Sequence, residues 1–224
     1  MPRAATTPPK KKAPRADGEA TRARILEAAG ELFAAAGFAE TTSKAIAARA
    51  EVDLASINYH FGSRDGLYRA VLVEAHRRIM DLADLQRLAQ SPLPAADKLK
   101  VLIDQLVHRV TDEAGGWHLA VIAAELLAPS SNIGVLMQSE VPMKMSQVLP
   151  ILGEITGIPV GDPALLRCGL SVVAPCLLLL IGRRGVPGPA QEMARMPREA
   201  IVNHLHCFAL AGLQAVGRDY LQKQ

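Results

Sequence analysis

Residues 41–68 read TTSKAIAARAEVDLASINYHFGSRDGLY, and this stretch decides the fold of the chain. The hydroxyl of Thr42 can accept hydrogen bonds from the free N–H groups of a first helical turn. Asp53 is a good N-cap for a second short helix over about residues 54–60, which Gly62 ends. Two short helices joined by a tight turn have little apolar surface of their own. The stretch therefore predicts a helix-turn-helix.

The second of these helices has two different faces. Ile57 and Phe61 are four residues apart and share one side, which we expect to point into the protein. The opposite arc carries Tyr59 with small residues, and Asn58 sits at its edge. An amide can bond the N6/N7 edge of adenine in a major groove, and Tyr or His can reach phosphate oxygens. The alternative is that Tyr59 is a core aromatic residue under the next helix.

This stretch resembles the DNA-binding signature of the TetR family of transcriptional regulators. The resemblance covers about residues 20–70 and holds at several fixed spacings at once. Two residues depart from it: Glu51 stands where members usually have Gly, which suggests a modestly different turn. Asn58 stands where they often have Tyr, which changes the expected operator sequence. The matching residues are Thr41-Thr42, Ile46-Ala47, Tyr59-His60-Phe61, Ser63-Arg64 and Leu67-Tyr68.

The resemblance implies a homodimer that binds double-stranded operator DNA, most simply as a repressor. It also implies a small-molecule effector, bound in the larger domain, that alters the separation of the two DNA-binding heads and releases DNA. We expect no enzyme activity, cofactor or metal. The DNA-binding residues carried over from the family are Thr42, Ser43, Lys44, Ala55, Ser56, Asn58, Tyr59, His60 and Arg64.

Residues 1–17 contain four prolines and no apolar periodicity, so they predict a disordered tail. Five basic residues against one acidic residue give this tail a charge of +4, whereas the whole chain carries +3. The tail can add phosphate contacts that are independent of sequence, or it can be a merely solvated terminus. It lacks an apolar core, so it does not read as a secretory signal peptide.

Apolar spacing predicts a brace helix over residues 19–36, which completes a three-helix head with the two short helices. A longer helix over about residues 64–85 links this head to the rest. A proline-rich linker follows at residues 91–94, so we expect a DNA-binding domain over residues 18–80 and a second domain over residues 81–224.

The second domain also reads as helical, and no convincing run of alternating strand residues occurs in the chain. The predicted class is therefore all-α, with a helix-turn-helix head and a larger ligand-binding and dimerisation domain. The second domain is loosely similar to the CecR-type subgroup, and the family implies that its last two helices pack against their copies as a four-helix bundle. The predicted segments are two helices within residues 95–127 split at Gly115-Gly116, helix to about residue 155 despite Pro142 and Pro150, helices over 163–182 and 198–221, and a loop over 183–197.

The segment over residues 163–182 is apolar enough to raise the question of a membrane span. It contains Arg167 and Pro175 and stands alone, so a buried helix is the better interpretation. Three cysteines, an odd number without a signal peptide, indicate reduced thiols in a cytoplasm. His204 and Cys207 have a spacing that can share a metal, but no second matching pair accompanies them.

Residues 117–145 combine the only tryptophan with polar side chains and three methionines. Thioethers adapt to varied apolar shapes, so this composition favours a pocket for a hydrophobic effector. Ordinary core packing explains the methionines equally well, and the polar groups can be satisfied at a helix surface. The predicted ligand-binding residues are Trp117, His118, Glu125, Met137, Met143 and Cys176.

The competing class is a helical ligand-binding protein or enzyme whose head no longer binds DNA. The sequence shows no phosphate-cradling Gly-rich loop and no zinc-type cysteine pair. Salt dependence separates the two classes, because a DNA-binding protein loses affinity steeply as salt displaces its phosphate contacts.

Overall fold

The computed structural model describes residues 14–112, 115–183 and 187–223, and within these ranges the secondary structure is entirely helical. The all-α prediction is thus confirmed. A single π-helical turn, Leu136–Glu140, directly precedes α8. The α-helices in chain order are α1 (Pro14–Glu40), α2 (Ser43–Arg49), α3 (Leu54–Phe61), α4 (Arg64–Ile79), α5 (Leu82–Gln90), α6 (Ala95–Thr111), α7 (Trp117–Leu127), α8 (Val141–Thr156), α9 (Pro163–Arg183), α10 (Pro189–Ala194) and α11 (Arg198–Gln222).

The first helix begins earlier than predicted, and a kink interrupts it at Gly37, directly after the predicted end. It begins at Pro14, so the last residues of the predicted tail belong to it, and residues 1–13 lie outside the described residues. Gly37 interrupts α1 with φ 79° and ψ 170°, a conformation that is available to glycine because it has no Cβ. The turn places Phe38 with its ring centroid 4.5 Å from that of Tyr68 on α4. This aromatic contact joins the end of α1 to α4.

Both short helices of the head begin where the sequence predicts. The Oγ1 of Thr42 accepts from the Ala45 N–H at 3.1 Å, and an Oδ1 of Asp53 accepts from the Ser56 N–H at 2.7 Å. These side chains satisfy N–H groups that have no partner inside a helix. Ile46 of α2 and Ile57 of α3 are fully buried against α1 and α4. Caps at the surface and one isoleucine per helix in the core therefore hold the helix-turn-helix.

The turn between α2 and α3 contains a non-glycine residue in a left-handed conformation. Glu51 has φ 54°, in the region where the Cβ of an L-residue meets the backbone. Glycine adopts this conformation readily, because it has no Cβ. Glu51 holds the left-handed turn at a conformational cost of about 1 kcal/mol.

Replacing Glu51 with Gly should raise the free energy of unfolding by roughly 0.5–1 kcal/mol, because it relieves this strain despite the greater freedom of glycine when unfolded. Urea unfolding followed by circular dichroism measures the change. Ala48→Gly, on the exposed side of α2, is the matched control and should cost about 1 kcal/mol. A loss of stability in Glu51→Gly would show that the turn is not strained.

The single helix predicted over residues 64–85 is two helices. α4 ends at Ile79, and Met80 is extended, with φ −147° and ψ 105°. Asp81 then restarts the chain as α5 by accepting from the N–H groups of Ala83 and Asp84 at 2.8 and 3.3 Å. An Asp side chain competes for backbone donors, which favours a new N-terminus over a continuous helix.

The loop predicted over residues 183–197 also needs correction, since it contains the short helix α10. Pro189 occupies the first turn of this helix, where a missing N–H costs nothing and a fixed φ is already helical. The prolines in the larger domain behave differently. Pro142 lies in the first turn of α8, whereas Pro150 and Pro175 lie inside α8 and α9 without ending them.

Head and larger domain meet along α7, which packs against α1 and α4. Trp117 Nε1 donates to a carboxylate oxygen of Glu27 on α1 at 2.8 Å. Arg78 of α4 pairs with the other Glu27 oxygen at 2.8 Å and lies 4.7 Å from the centre of the Trp117 ring. The Trp117 ring also lies directly against Gly30, where the Cβ of any other residue would be only 2.3 Å from a ring carbon. Only a residue without a side chain allows this contact.

A second buried contact joins the same helices. The Tyr68 hydroxyl of α4 donates to Glu125 Oε2 of α7 at 2.8 Å. The other oxygen of Glu125 accepts from the N–H and the hydroxyl of Ser130 at 2.8 and 2.7 Å. Burial and the adjacent carboxylate raise the pKa of Tyr68 well above its ordinary range, so the tyrosine stays a donor.

Gly30→Ala should destabilise the protein by about 1–3 kcal/mol, because the new methyl group overlaps the Trp117 ring. Gly18→Ala is a matched control on the same helix, since its methyl group would meet nothing closer than 4.0 Å and alanine favours helix. Chemical unfolding gives the stabilities, and fluorescence of the only tryptophan reports whether its ring has moved. Equal stability of the two variants would contradict the close contact.

Candidate nucleic-acid interface

The outer face of α3 presents an aromatic ring to solvent. Tyr59 is 86% exposed, which excludes the alternative that it is a core residue. Asn58 and Ala55 are exposed beside it, whereas Ile57 is fully buried on the opposite side of the helix. A helix surface with an exposed ring, an amide and a methyl group offers the contacts that read base edges in a major groove.

The two remaining predicted residues of α3 have additional contacts within the head. The Ser56 hydroxyl donates to Asp53 Oδ1 at 2.7 Å, and this bond and the Ser56 N–H lower the pKa of Asp53. His60 is half-buried, with its ring centroid 5.0 Å from that of Tyr59. Ser56 and His60 therefore lie beside the exposed face of α3, and each also contacts another residue of the head.

The start of α2 supplies a second group of exposed side chains. Thr42 is exposed while its hydroxyl caps the helix, Ser43 is half-buried and Lys44 is exposed. Further along α2, Arg49 is paired with Glu31 of α1 at 2.6 Å, and both side chains remain accessible. Lys44 thus adds a solvent-exposed cation at the start of α2, as phosphate contacts require.

Arg64 is placed differently from the other predicted DNA-binding residues. Its guanidinium donates to the backbone carbonyls of Phe38 and Ala39 and lies 4.2 Å from the centre of the Phe38 ring. The side chain therefore joins the start of α4 to the end of α1. Arg64 therefore positions the head through Nη2, and its contact with DNA stays a prediction.

The predicted ligand-binding residues are not brought together. Trp117 and Glu125 are engaged in the contacts between head and larger domain, and His118 is half-buried beside them, with burial, Arg78 and Arg109 lowering its pKa. Met137 and Met143 are 52% and 44% exposed at the surface. Cys176 is buried in α9, and burial raises its pKa to about 11.

Two concave regions of the larger domain contain none of these six residues. A cavity of about 320 Å³ lies at the break between α4 and α5, against α6. A groove of about 310 Å³ runs between α9 and α11 and includes Phe208 and Gly212. In the part of the chain that the structure describes, no three metal-ligating side chains form a cluster. His204 stacks near Phe208 instead, at 6.2 Å between ring centroids.

A buried lysine, Lys144, lies near the break between α4 and α5, and it was not predicted from the sequence. The Lys144 ammonium of α8 lies 2.7 Å from His76 Nδ1, 3.1 Å from the His76 carbonyl and 3.2 Å from a carboxylate oxygen of Glu140. Burial and the ammonium lower the pKa of His76 to about 4, so its neutral ring accepts the bond. A lysine within the apolar stripe that includes Val148 and Ile151 is the signal that could have predicted it.

Comparison with known proteins agrees with this geometry. Residues 25–71 match the model for bacterial regulatory proteins of the tetR family. Residues 95–216, more than half of the chain, match the model for the C-terminal domain of the HTH-type transcriptional dual regulator CecR. A search of curated proteins finds no significant match.

Several solved structures share the fold. A TetR-like regulator from Rhodococcus sp. RHA1 superimposes with a TM-score of 0.63 and 20% identity, over 90% of this chain and 98% of its own. The fatty acid degradation regulator FadR from Bacillus halodurans gives 0.66 and 14%, over 85% and 98% of the two chains. AmtR from Mycobacterium smegmatis gives 0.56 and 20%, over 90% and 94%.

An exposed recognition helix on a helical head, joined to a larger helical domain, defines a helix-turn-helix transcriptional regulator. The chain belongs to the TetR family of bacterial regulatory proteins and carries a CecR-type C-terminal domain.

Proposed function

We propose that this protein is a repressor that binds operator DNA through α2 and α3 as a homodimer and is released by a small-molecule effector. The observation that carries the proposal is the outer face of α3, where Asn58 and Tyr59 are exposed while Ile57 anchors the helix. Regulators of the TetR family bind operator DNA and form dimers. A cytoplasmic location is part of the proposal, because the target is DNA. Free cysteines, such as the buried Cys168 and Cys176, are usual in that reducing compartment.

Different side chains serve affinity and specificity in this proposal. Lys44 and the Thr42 hydroxyl contact phosphates, which contributes to binding of any sequence. Asn58 bonds a base edge, and Ala55 can meet a thymine methyl group. Arg64 joins the start of α4 to the end of α1 through Nη2, and its guanidinium is also proposed to contact a phosphate.

The sharpest test compares Asn58→Ala with Lys44→Ala on an operator selected from random DNA by the purified protein. Asn58→Ala should lose about 1–3 kcal/mol of discrimination at one base position, because a base contact is removed. Lys44→Ala should weaken specific and random DNA alike and reduce the salt dependence. Fluorescence anisotropy at several salt concentrations measures both effects.

Gln86→Ala, an exposed change on α5, is the control and should leave DNA binding unchanged. If Asn58→Ala weakens random and specific DNA equally, Asn58 does not read a base. If the wild-type protein shows no salt-dependent binding and selects no sequence, the competing class of a helical ligand-binding protein or enzyme is favoured.

The homodimer is proposed to form through α9 and α11. Both helices expose large apolar side chains that a single protomer leaves in water. They also lie beside each other, with the apolar groove of about 310 Å³ between them. An exposed apolar groove of this kind favours an interface. The exposed side chains are Leu166, Leu170, Leu178, Phe208 and Val216.

Gly212→Glu should convert the dimer into a folded monomer. The position is open on the protomer, so the carboxylate fits there, but a partner helix would bury it without a counter-charge. Sedimentation velocity gives the oligomeric state and circular dichroism the fold. Gln214→Glu, on the other side of α11, is the control and should stay dimeric; a dimeric Gly212→Glu protein would move the interface elsewhere.

The effector is proposed to act through α4. This helix connects the head, at Tyr68, with the cavity of about 320 Å³ at its C-terminal end. Ile79, Leu102 and Leu106 give the cavity apolar contacts for a small ligand, and the polar residues around them can fix its orientation. Suppose that a ligand binds more tightly to the conformation in which the two heads are wrongly spaced for DNA. It must then lower the affinity for DNA by the same factor by which DNA lowers the affinity for the ligand.

A further inference from the structure

We propose that the cavity at the end of α4 binds an organic carboxylate with a compact apolar body, whose charge is held by Arg109 and Arg77. The regulatory consequence of this binding rests on the proposed function, but the site itself does not. Neither the family models nor the sequence pattern indicates a ligand at this place, and none of the six ligand-binding residues predicted from the sequence lines it.

The shape of the site comes from two adjoining concave regions. The cavity of about 320 Å³ is lined by Ile79 and Met80 at the end of α4. The rest of its lining mixes the apolar side chains of Leu102 and Leu106 with the polar ones of Asp81, Asp84, Gln105, His108 and Arg109. A shallower region of about 280 Å³ continues from it and is lined by Arg77 and Arg78. Asp81 and Arg109 line both regions, so the two form one continuous surface. Its size, at the lower end for ligand pockets, suits a compact molecule.

The acidic side chains around this site already have partners. The Asp81 carboxylate caps α5, and Asp84 pairs with Arg87. Glu74 is bound by Arg78 at 3.0 Å, and Asp104 of α6 is bound by Arg198 at 2.6 Å. Ion pairs thus compensate the charges of Glu74, Asp84 and Asp104. Asp81 keeps its charge, because backbone N–H groups do not neutralise a carboxylate, and it offsets only one of the two arginines Arg77 and Arg109.

Arg77 and Arg109 provide the charge for the ligand. Both are exposed, and neither forms an ion pair within the described residues. The positive charge of Arg77 and Arg109 also affects neighbouring basic side chains. The pKa of His118 is lowered by burial and then by Arg78 and Arg109. Burial also lowers the pKa of Lys144, with a contribution from Arg77 that Glu140 and Asp81 oppose. An anion between the two guanidiniums would compensate this positive charge, and guanidinium groups match carboxylates well.

The position of the site gives it leverage over the head. Met80 is the extended residue at which α4 ends, and Lys144 holds the last turn of α4 through the ring and carbonyl of His76. A ligand body packed against Ile79 and Met80 therefore acts on the end of the helix that carries Tyr68 into the head. Movement of α4 is thus the proposed consequence of binding.

The test uses isothermal titration of the full-length protein with hexanoate, benzoate and 3-phenylpropanoate, each compared with its neutral amide. At least one carboxylate should bind, and its amide should bind at least about tenfold more weakly, because a charge-assisted bond is lost. Arg109→Gln and Arg77→Gln should each weaken the carboxylate by about tenfold without changing the weak amide binding. Lys100→Gln, an exposed change on the same helix as Arg109, should leave binding unchanged.

Gln105→Trp fills the mouth of the cavity and keeps both arginines, so it should abolish binding of carboxylate and amide while circular dichroism shows a folded protein. Binding unaffected by Gln105→Trp or by both arginine changes would overturn the proposal. So would failure of every carboxylate to bind. Operator binding is measured separately: a carboxylate that binds at this site without affecting DNA would uphold the site and refute only its role as effector site.

Discussion

The packing of Trp117 against Gly30 is the contact on which the arrangement of the protein depends. It brings α7 of the larger domain onto α1 of the head, and the Trp117 N–H reaches Glu27 at 2.8 Å. Arg78 of α4 covers the ring and shares the same carboxylate, which lowers the pKa of Glu27. Three helices from two parts of the chain therefore meet at one indole. These contacts therefore fix the orientation of the head relative to the larger domain.

Helix α4 connects the head to the larger domain at both of its ends. Its first turns are tied to α7 by the buried bond between Tyr68 and Glu125, and its last turn is tied to α8 by Lys144 and His76. Packed interiors respond to a displacement by shifting between discrete arrangements rather than by yielding continuously. In our proposal, a ligand at the end of α4 changes which arrangement is favoured, and the orientation of α3 follows.

The sequence predicts the features of the head that depend on near neighbours. The caps at Thr42 and Asp53 and the two faces of α3 follow from spacing of three or four residues, and the structure has them. The role of Trp117 could not be read in this way, because its partner Glu27 lies 90 residues earlier. The same applies to Tyr68 and Glu125, which are 57 residues apart. Composition assigned Trp117 and Glu125 to a pocket, whereas folding uses them to join two domains.

Apolar composition in α9 and α11 raises a similar ambiguity, which structure helps to resolve. The segments Pro163–Gly182 and Arg198–Gln222 are long and apolar enough to cross a membrane, yet 44% and 28% of their most apolar windows are buried inside one protomer. Among the exposed apolar side chains, Phe208 and Val216 of α11 line the groove beside α9, and a symmetric partner would cover such a groove. Such a dimer fixes the distance between two copies of α3. Because successive major grooves on one side of DNA are about 34 Å apart, small movements of α4 would then suffice to misalign the heads.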